Sequence, residues 1–297
     1  MTLYWVLAAI IGAAGQTTRN AMQRNLTQVI GTVGATQVRF LYGLPFSLLF
    51  LAIVATLTQH AVPSLNSTML GFAVAGAVTQ ILATALMLLA MRERSFAVTT
   101  AYTKTEPVQV AIFGVVVLGD TMSAMAAIAI VVATLGVILM AIKPGNSWNA
   151  DGLRPAAYGI ASGAFFAMSA VAYRGGILAL EDVPFALRAS TMLVTALSIQ
   201  TVMLLSYMAI FDRQALLGSL KIWRASLLAG FMGAFASQAW FIGFSLTAAA
   251  NVRTLGLVEM IFAQIITRRV LKEQTAGREW AGMALTLIGV AALLVFG

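Results

Sequence analysis

Glu106 and Glu259 each stand in the middle of a long apolar run, 153 residues apart. Around Glu106, the residues Thr99, Tyr102, Thr103 and Gln109 recur at spacings of three and four, which places them on one stripe of a helix. Counting about 1.5 Å per residue from Phe96 puts Glu106 roughly 15 Å into its run, the midplane of a bilayer about 30 Å thick. Glu259, counted from Ala250, reaches a similar depth. A carboxylate there binds a cationic group, takes up a proton once desolvated, or does both in exchange. The neighbours of Glu259 on its own stripe, Leu255, Gly256, Phe262 and Ala263, are apolar or small, so it reads as a lone contact. Lys104, two residues from Glu106, falls about 200° round the helix. It is expected to pair with another helix, to snorkel along lipid, or to act as a counter-ion.

Other polar residues extend the candidate site. Gln16, Arg19, Asn20 and Gln23 form a stripe at i, i+3, i+4 and i+7 on an otherwise apolar helix, the mark of a segment entering a wet vestibule. Arg19 has the planar fork that grips a carboxylate, or serves as an interfacial anchor. Gln80 and Thr84 lie one turn apart, and Gln238 precedes Trp240, Phe241 and Phe244. Ser162, Phe165, Phe166, Ser169 and Tyr173 share another stripe. Tyr102, Trp240 and Tyr173 around one cavity would hold an organic cation or an aromatic moiety. Arg39 and Arg188 are expected to pair with loop carboxylates or lipid phosphates. The expected substrate contacts are therefore Gln16, Arg19, Asn20, Gln80, Tyr102, Thr103, Gln109, Tyr173, Gln238 and Trp240, with Glu106 and Glu259 doubling as proton carriers.

The elements that must carry these residues follow from composition. Of 297 residues, 60% are hydrophobic and 9% charged, against about 25% charged in a soluble domain. Such a chain needs lipid as the solvent for most of its side chains, so it is an integral membrane protein. Cysteine is absent and His60 is the only histidine, which removes thiolate chemistry and leaves little for metals. Ten apolar segments are expected to span the membrane as helices: about 3–22, 35–57, 68–90, 96–117, 123–142, 155–175, 184–210, 224–246, 250–270 and 279–296. Continuous apolar runs exclude a β-barrel. Pro45 and Pro107 lie inside spans, and Pro107 is expected to kink the fourth beside Glu106. Fourteen Lys and Arg flank the odd-to-even loops and three (Arg174, Arg188 and Arg253) flank the others. The positive-inside rule then places both termini outside the cytoplasm. The excess of basic residues, +8 in net charge, thus reads as topology and not as a nucleic-acid surface.

An internal repeat emerges at half the chain length. An offset of 153 brings Glu106 onto Glu259, Leu118 onto Leu271, Asp120 onto Glu273 and Gly136 onto Gly289; slightly smaller offsets match Gly12 with Gly163 and Arg39 with Arg188. Five spans is an odd number, so the duplicated unit must insert inverted. The fold expected is all-α, ten transmembrane helices in two inverted five-helix repeats, residues 1–148 and 149–297.

Glu106-Pro107-Val108, Leu118-Gly119-Asp120 and Gly136-Val137 resemble the pattern of EamA-type drug/metabolite transporters. Val270-Leu271-Lys272-Glu273, Trp280-Ala281-Gly282 and Gly289-Val290 are similar to the same element again, with Met260 where a proline usually stands beside the glutamate. The resemblance implies a ten-helix inverted-repeat carrier with a central cavity, working by alternating access on amino acids, other metabolites or toxic cations. Many members place both termini in the cytoplasm, the reverse of the Lys and Arg count.

The function expected is a secondary active transporter of a small polar or amphipathic organic metabolite in a bacterial inner membrane, coupled to protons. The alternatives are an organic-anion uniporter or exchanger recognising its substrate through Arg19, Lys104 or Arg253, and multidrug cation efflux. No Walker motif and no intramembrane protease constellation is present, so neither an enzyme nor a cofactor is expected. Its partners are the small-molecule metabolite and the lipid bilayer, without nucleic acid, and one chain suffices for the pathway although a dimer is compatible with it.

Overall fold

In the computed structural model, residues 2–93, 99, 102–141, 150–180, 183–260 and 277–296 are described. Helix α1 covers Thr2–Leu41, but its backbone leaves helical geometry at Gly31 (φ 73, ψ 178). The Gln23 amide donates to the Ala35 carbonyl at 2.9 Å, whereas twelve residues of straight helix would separate them by about 18 Å. The chain therefore folds back at Gly31, where the absent Cβ permits a positive φ. The loop expected between residues 23 and 34 is corrected to two helical arms joined at this one glycine. After Tyr42 and Gly43 the second arm resumes as α2, Leu44–Thr58, with Pro45 in its first turn, where a missing N–H costs nothing.

The remaining helices are α3 (Ser67–Glu93), α4 (Glu106–Phe113, continued by a wider π-type turn at Gly114–Leu118), α5 (Ala124–Ala141), α6 (Ala150–Leu178), α7 (Phe185–Phe211), α8 (Arg213–Lys221), α9 (Trp223–Leu246), α10 (Ala249–Leu255) and α11 (Gly277–Phe296). No strand occurs among the described residues. The short α8 replaces an expected loop; Asp212 starts it by accepting from the Ala215 amide at 3.0 Å. Among the described residues, five stretches are long and apolar enough to cross a membrane, and Glu106–Leu118, Ala124–Leu139 and Trp280–Phe296 are shorter apolar helices. Aliphatic side chains such as Val116, Val202 and Ile210 stand outward on the bundle, a surface stable only against hydrocarbon.

The most extensive packing joins helices of the first half to helices of the second: α1 on α9, α3 on α6 and α5 on α11. On α5 and α11 the contact is reciprocal. Gly136 lies against Gly282 and Thr286, and Gly289 lies against Ala129 and Ala133. An offset of 153 carries each half of this contact onto the other. Ser123 Oγ also donates to the Phe296 carbonyl at 3.0 Å, so positions rise on one helix as they fall on the other, and the two run antiparallel. The α1–α9 pair sets Gly12 against Trp240 and Gly15 against Ala236. In the α3–α6 pair, Gly76 meets Tyr173, and Ser162 Oγ donates to the Ala83 carbonyl at 2.8 Å. Missing Cβ atoms let these backbones approach, the device that holds helices together where lipid removes the hydrophobic drive.

Candidate functional site

Two helices break just before their glutamates. Ahead of α4, residues Lys104 and Thr105 form a turn, with the Thr105 amide donating to the Tyr102 carbonyl at 3.4 Å. Pro107 has no N–H for the Thr103 carbonyl four residues back, and that carbonyl faces Gly163 on α6. The expected kink at Pro107 is thus present, one turn earlier than the proline itself. In the second half, α10 ends at Leu255 and the chain turns through Gly256 and Leu257, with the Glu259 amide donating to the Gly256 carbonyl at 3.1 Å. Gly256 is pressed onto the indole of Trp240, so a glycine does in this half what the proline does in the other.

The two breaks face each other, and their charges cross over. Lys104 of the first half pairs with Glu259 of the second, and Arg253 Nε lies 3.1 Å from Glu106 Oε1. All four side chains are at least nine-tenths buried. The Arg253–Glu106 pair is at ion-pair distance without hydrogen-bond alignment. Thr17 Oγ1 donates to Glu259 Oε2 at 3.0 Å. Gln16 Oε1 accepts from Arg253 Nη1 at 3.3 Å and from Trp240 Nε1 at 3.1 Å. The Arg253 guanidinium sits 4.5 Å from the Trp240 ring centre and 5.4 Å from that of Phe244. Lys104 does pair with another helix, but the 200° separation from Glu106 no longer holds: the turn between them lets both reach the same opposing segment.

Beside this crossing, Arg19 is 1% exposed and Arg39 3% exposed. Arg19 donates through Nε and Nη2 to its neighbour Asn20 Oδ1, at 3.1 and 2.6 Å. Arg39 Nη1 donates to Thr84 Oγ1 at 3.1 Å, and its guanidinium lies 5.2 Å from the Phe40 ring centre. Arg19 Nη1 and Arg39 Nε have no partner among the described residues. The expected pairing of Arg39 with a loop carboxylate or lipid phosphate is therefore corrected: its side chain points into the bundle. Arg188 donates to the Leu180 carbonyl at 3.5 Å.

One turn from Thr84, Gln80 Oε1 accepts from Tyr173 Oη at 3.1 Å and from Gln200 Nε2 at 2.8 Å. Tyr173 leans on Phe241, ring centres 4.7 Å apart, and Trp240 covers Arg253. Tyr102 packs against Gly159. The three aromatics expected around one cavity thus serve three separate contacts in this conformation. Gln109 donates to Thr105 Oγ1 at 3.4 Å, and Thr103 is buried next to Lys104. Gln238 donates to Ser190 Oγ at 2.9 Å. It borders an apolar groove of about 460 Å³ among Tyr4, Leu7, Phe50 and Phe235, away from the charged crossing. Gln200, Thr17 and Thr84 join the polar layer without having stood among the expected substrate contacts. Their only signal in the sequence was a polar side chain inside an apolar run. Val270-Leu271-Lys272-Glu273 lies outside the described residues, and Asp120 of the first-half turn pairs with Arg174 at 3.1 Å.

The model of the EamA-like transporter family matches residues 3–142 and again 154–295. The chain belongs to this family. It is an integral membrane transporter of the drug/metabolite superfamily. A crystal structure of a protein aligns with this EamA-like chain over 98% of its length and 99% of the other's, with a TM-score of 0.66 and 15% identity. That likeness shows a shared fold. No curated protein matches at a significant level.

Proposed function

We propose that this EamA-like chain is a secondary active transporter of a small organic metabolite. It works by alternating access between two inverted repeats of five spans each, residues 1–148 and 149–297. The observation that carries the reading is the pair of broken helices joined by ion pairs that each take one member from either half. Broken helices at the interface of inverted repeats mark the substrate site of secondary carriers. Rocking one half against the other must separate Lys104 from Glu259 and Glu106 from Arg253. The four charges are then free to meet substrate, water or a proton. A carboxylate stripped of its cation in a low-dielectric interior is costly, and a proton relieves that cost. Glu106 and Glu259 thereby couple substrate movement to protons, with Thr17 holding the second glutamate in the closed state.

The orientation also belongs to this proposal. Arg19, Arg39 and Arg253 are buried inside the bundle and are not topology signals. Without them the Lys and Arg count is twelve against two, still placing both termini outside the cytoplasm. One chain contains both halves and suffices for the pathway.

The test is flux in proteoliposomes under an imposed pH gradient. Wild-type protein drives uptake that the gradient accelerates. Glu106→Gln abolishes that acceleration while the protein, although destabilised, still melts cooperatively above the assay temperature. Unchanged pH dependence in Glu106→Gln and Glu259→Gln alike refutes the coupling role.

A further inference from the structure

We propose that Arg19 and Arg39 form an oxyanion-recognition pair, so that the transported metabolite carries a carboxylate or phosphate group. The inference rests on the transporter reading above and narrows its substrate. Among the described residues, the buried charged side chains are four cations, Arg19, Arg39, Lys104 and Arg253, and two carboxylates, Glu106 and Glu259. Both carboxylates are already paired, with Arg253 and Lys104. Two guanidiniums are left over inside the bundle. The charges that act on Arg19 are those of Arg39 and Arg253, of its own sign, and of the committed Glu259 and Glu106.

Burying a cation without a counter-ion costs several kcal/mol (about that scale per ion), and a fold does not carry two such groups as mere packing. Their local partners are weak substitutes, the neutral Asn20 and Thr84. Among the described residues each guanidinium also keeps one nitrogen without an acceptor, Nη1 of Arg19 and Nε of Arg39. The two side chains run past the same residue of α9. A Cβ on Gly233 would stand 3.2 Å from Arg39 Cγ and 3.4 Å from Arg19 Cδ. The missing side chain at 233 therefore makes the room in which both arginines lie together. Two planar donor forks with spare N–H groups match the oxygens of a carboxylate or phosphate. An amine substrate would meet two guanidiniums of its own sign there.

The experiment uses the purified full chain in detergent and four probes: succinate, benzoate, inorganic phosphate and glycerol 3-phosphate. Succinamide and benzamide serve as neutral counterparts. At least one anion is expected to raise Tm by a few degrees near 100 times its Kd, roughly the scale for ligand linkage, while the amides leave it unchanged. Arg19→Gln and Arg39→Gln each weaken that binding ~10-fold or more, and Lys221→Gln, on the exposed surface, binds as wild type. Without ligand, both arginine variants melt no lower than wild type, because an uncompensated buried charge has been removed. The proposal is overturned if no anion shifts the wild type, if the shift survives both variants, or if the ligand-free variants melt well below wild type. It is overturned as well if only phosphatidylglycerol, compared with phosphatidylcholine, stabilises the protein, since the occupant is then a lipid headgroup. Counterflow separates this failure from that of the transporter reading. An anion that binds but does not exchange refutes transport and leaves the site standing; an amine whose exchange ignores both variants does the reverse.

Discussion

Glu106 and Arg253 meet at 3.1 Å across the boundary between the two halves of the chain. The cation is held from three further sides, by the Gln16 amide oxygen, the Trp240 indole and the Phe244 ring. Among the described residues the carboxylate's Oε1 has no aligned donor. A pair so unequally held is suited to open from the glutamate side while the arginine stays in place.

Removing one member strands the other. Glu106→Gln leaves Arg253 buried without a carboxylate and is expected to cost about 3–5 kcal/mol. The double change Glu106→Gln with Arg253→Gln recovers most of that loss. Chemical unfolding of the four proteins in detergent micelles gives the cycle, and additive single effects would argue against a direct pair.

Trp240 contributes a ring to Arg253 and an N–H to Gln16. Trp240→Phe keeps the first and loses the second, and Trp240→Leu loses both. Melting temperatures are expected to fall in the order wild type, Phe, Leu, with roughly 1–2 kcal/mol between steps. Transport falls in the same order, since Arg253 loses its seat.

Gly136 and Gly289 are equivalent across the two halves, each against the backbone of the opposing helix. Gly136→Val and Gly289→Val are expected to destabilise by similar amounts, about 1–3 kcal/mol or more. Gly71 has open space where a side chain would go, so Gly71→Ala is neutral or stabilising by up to about 1 kcal/mol. Size-exclusion profiles and melting curves of the three variants check this.

Pro107→Ala restores an N–H that reaches back towards the Thr103 carbonyl. The segment before Glu106 then regains helical geometry and the turn at Lys104 closes. Stability is expected to hold or rise while transport drops, because Lys104 and Glu106 no longer face the same segment. Equal flux in wild type and variant would show the break to be incidental.

The absence of cysteine makes orientation directly measurable. Ser64→Cys, in the connection between α2 and α3, and Lys221→Cys, at the end of α8, lie on opposite sides in the proposed topology. An impermeant maleimide is expected to label the first in intact cells and the second only after permeabilisation.

By itself, the amino-acid order determined that the chain lives in lipid, that its first and second halves repeat, and that two glutamates lie deep in apolar runs. Hydropathy over about 20 residues and the spacing of equivalent residues are local quantities, readable along one dimension. The sharp reversal at Gly31 and the helical α8 were not legible, because a single glycine and a nine-residue amphipathic stretch look like loop punctuation. Only the tertiary structure decided which charges meet. An unbroken helix would turn Lys104 away from Glu106, and the break between them brings both to one opposing segment. Arg39 and Arg253 stand near helix ends in the sequence, and only the fold turns both into the bundle. The physical reason is that pairing between segments about half a chain apart depends on where helices break and how they cross. In hydrocarbon those choices are set by which buried charges find a partner and which are left waiting for one.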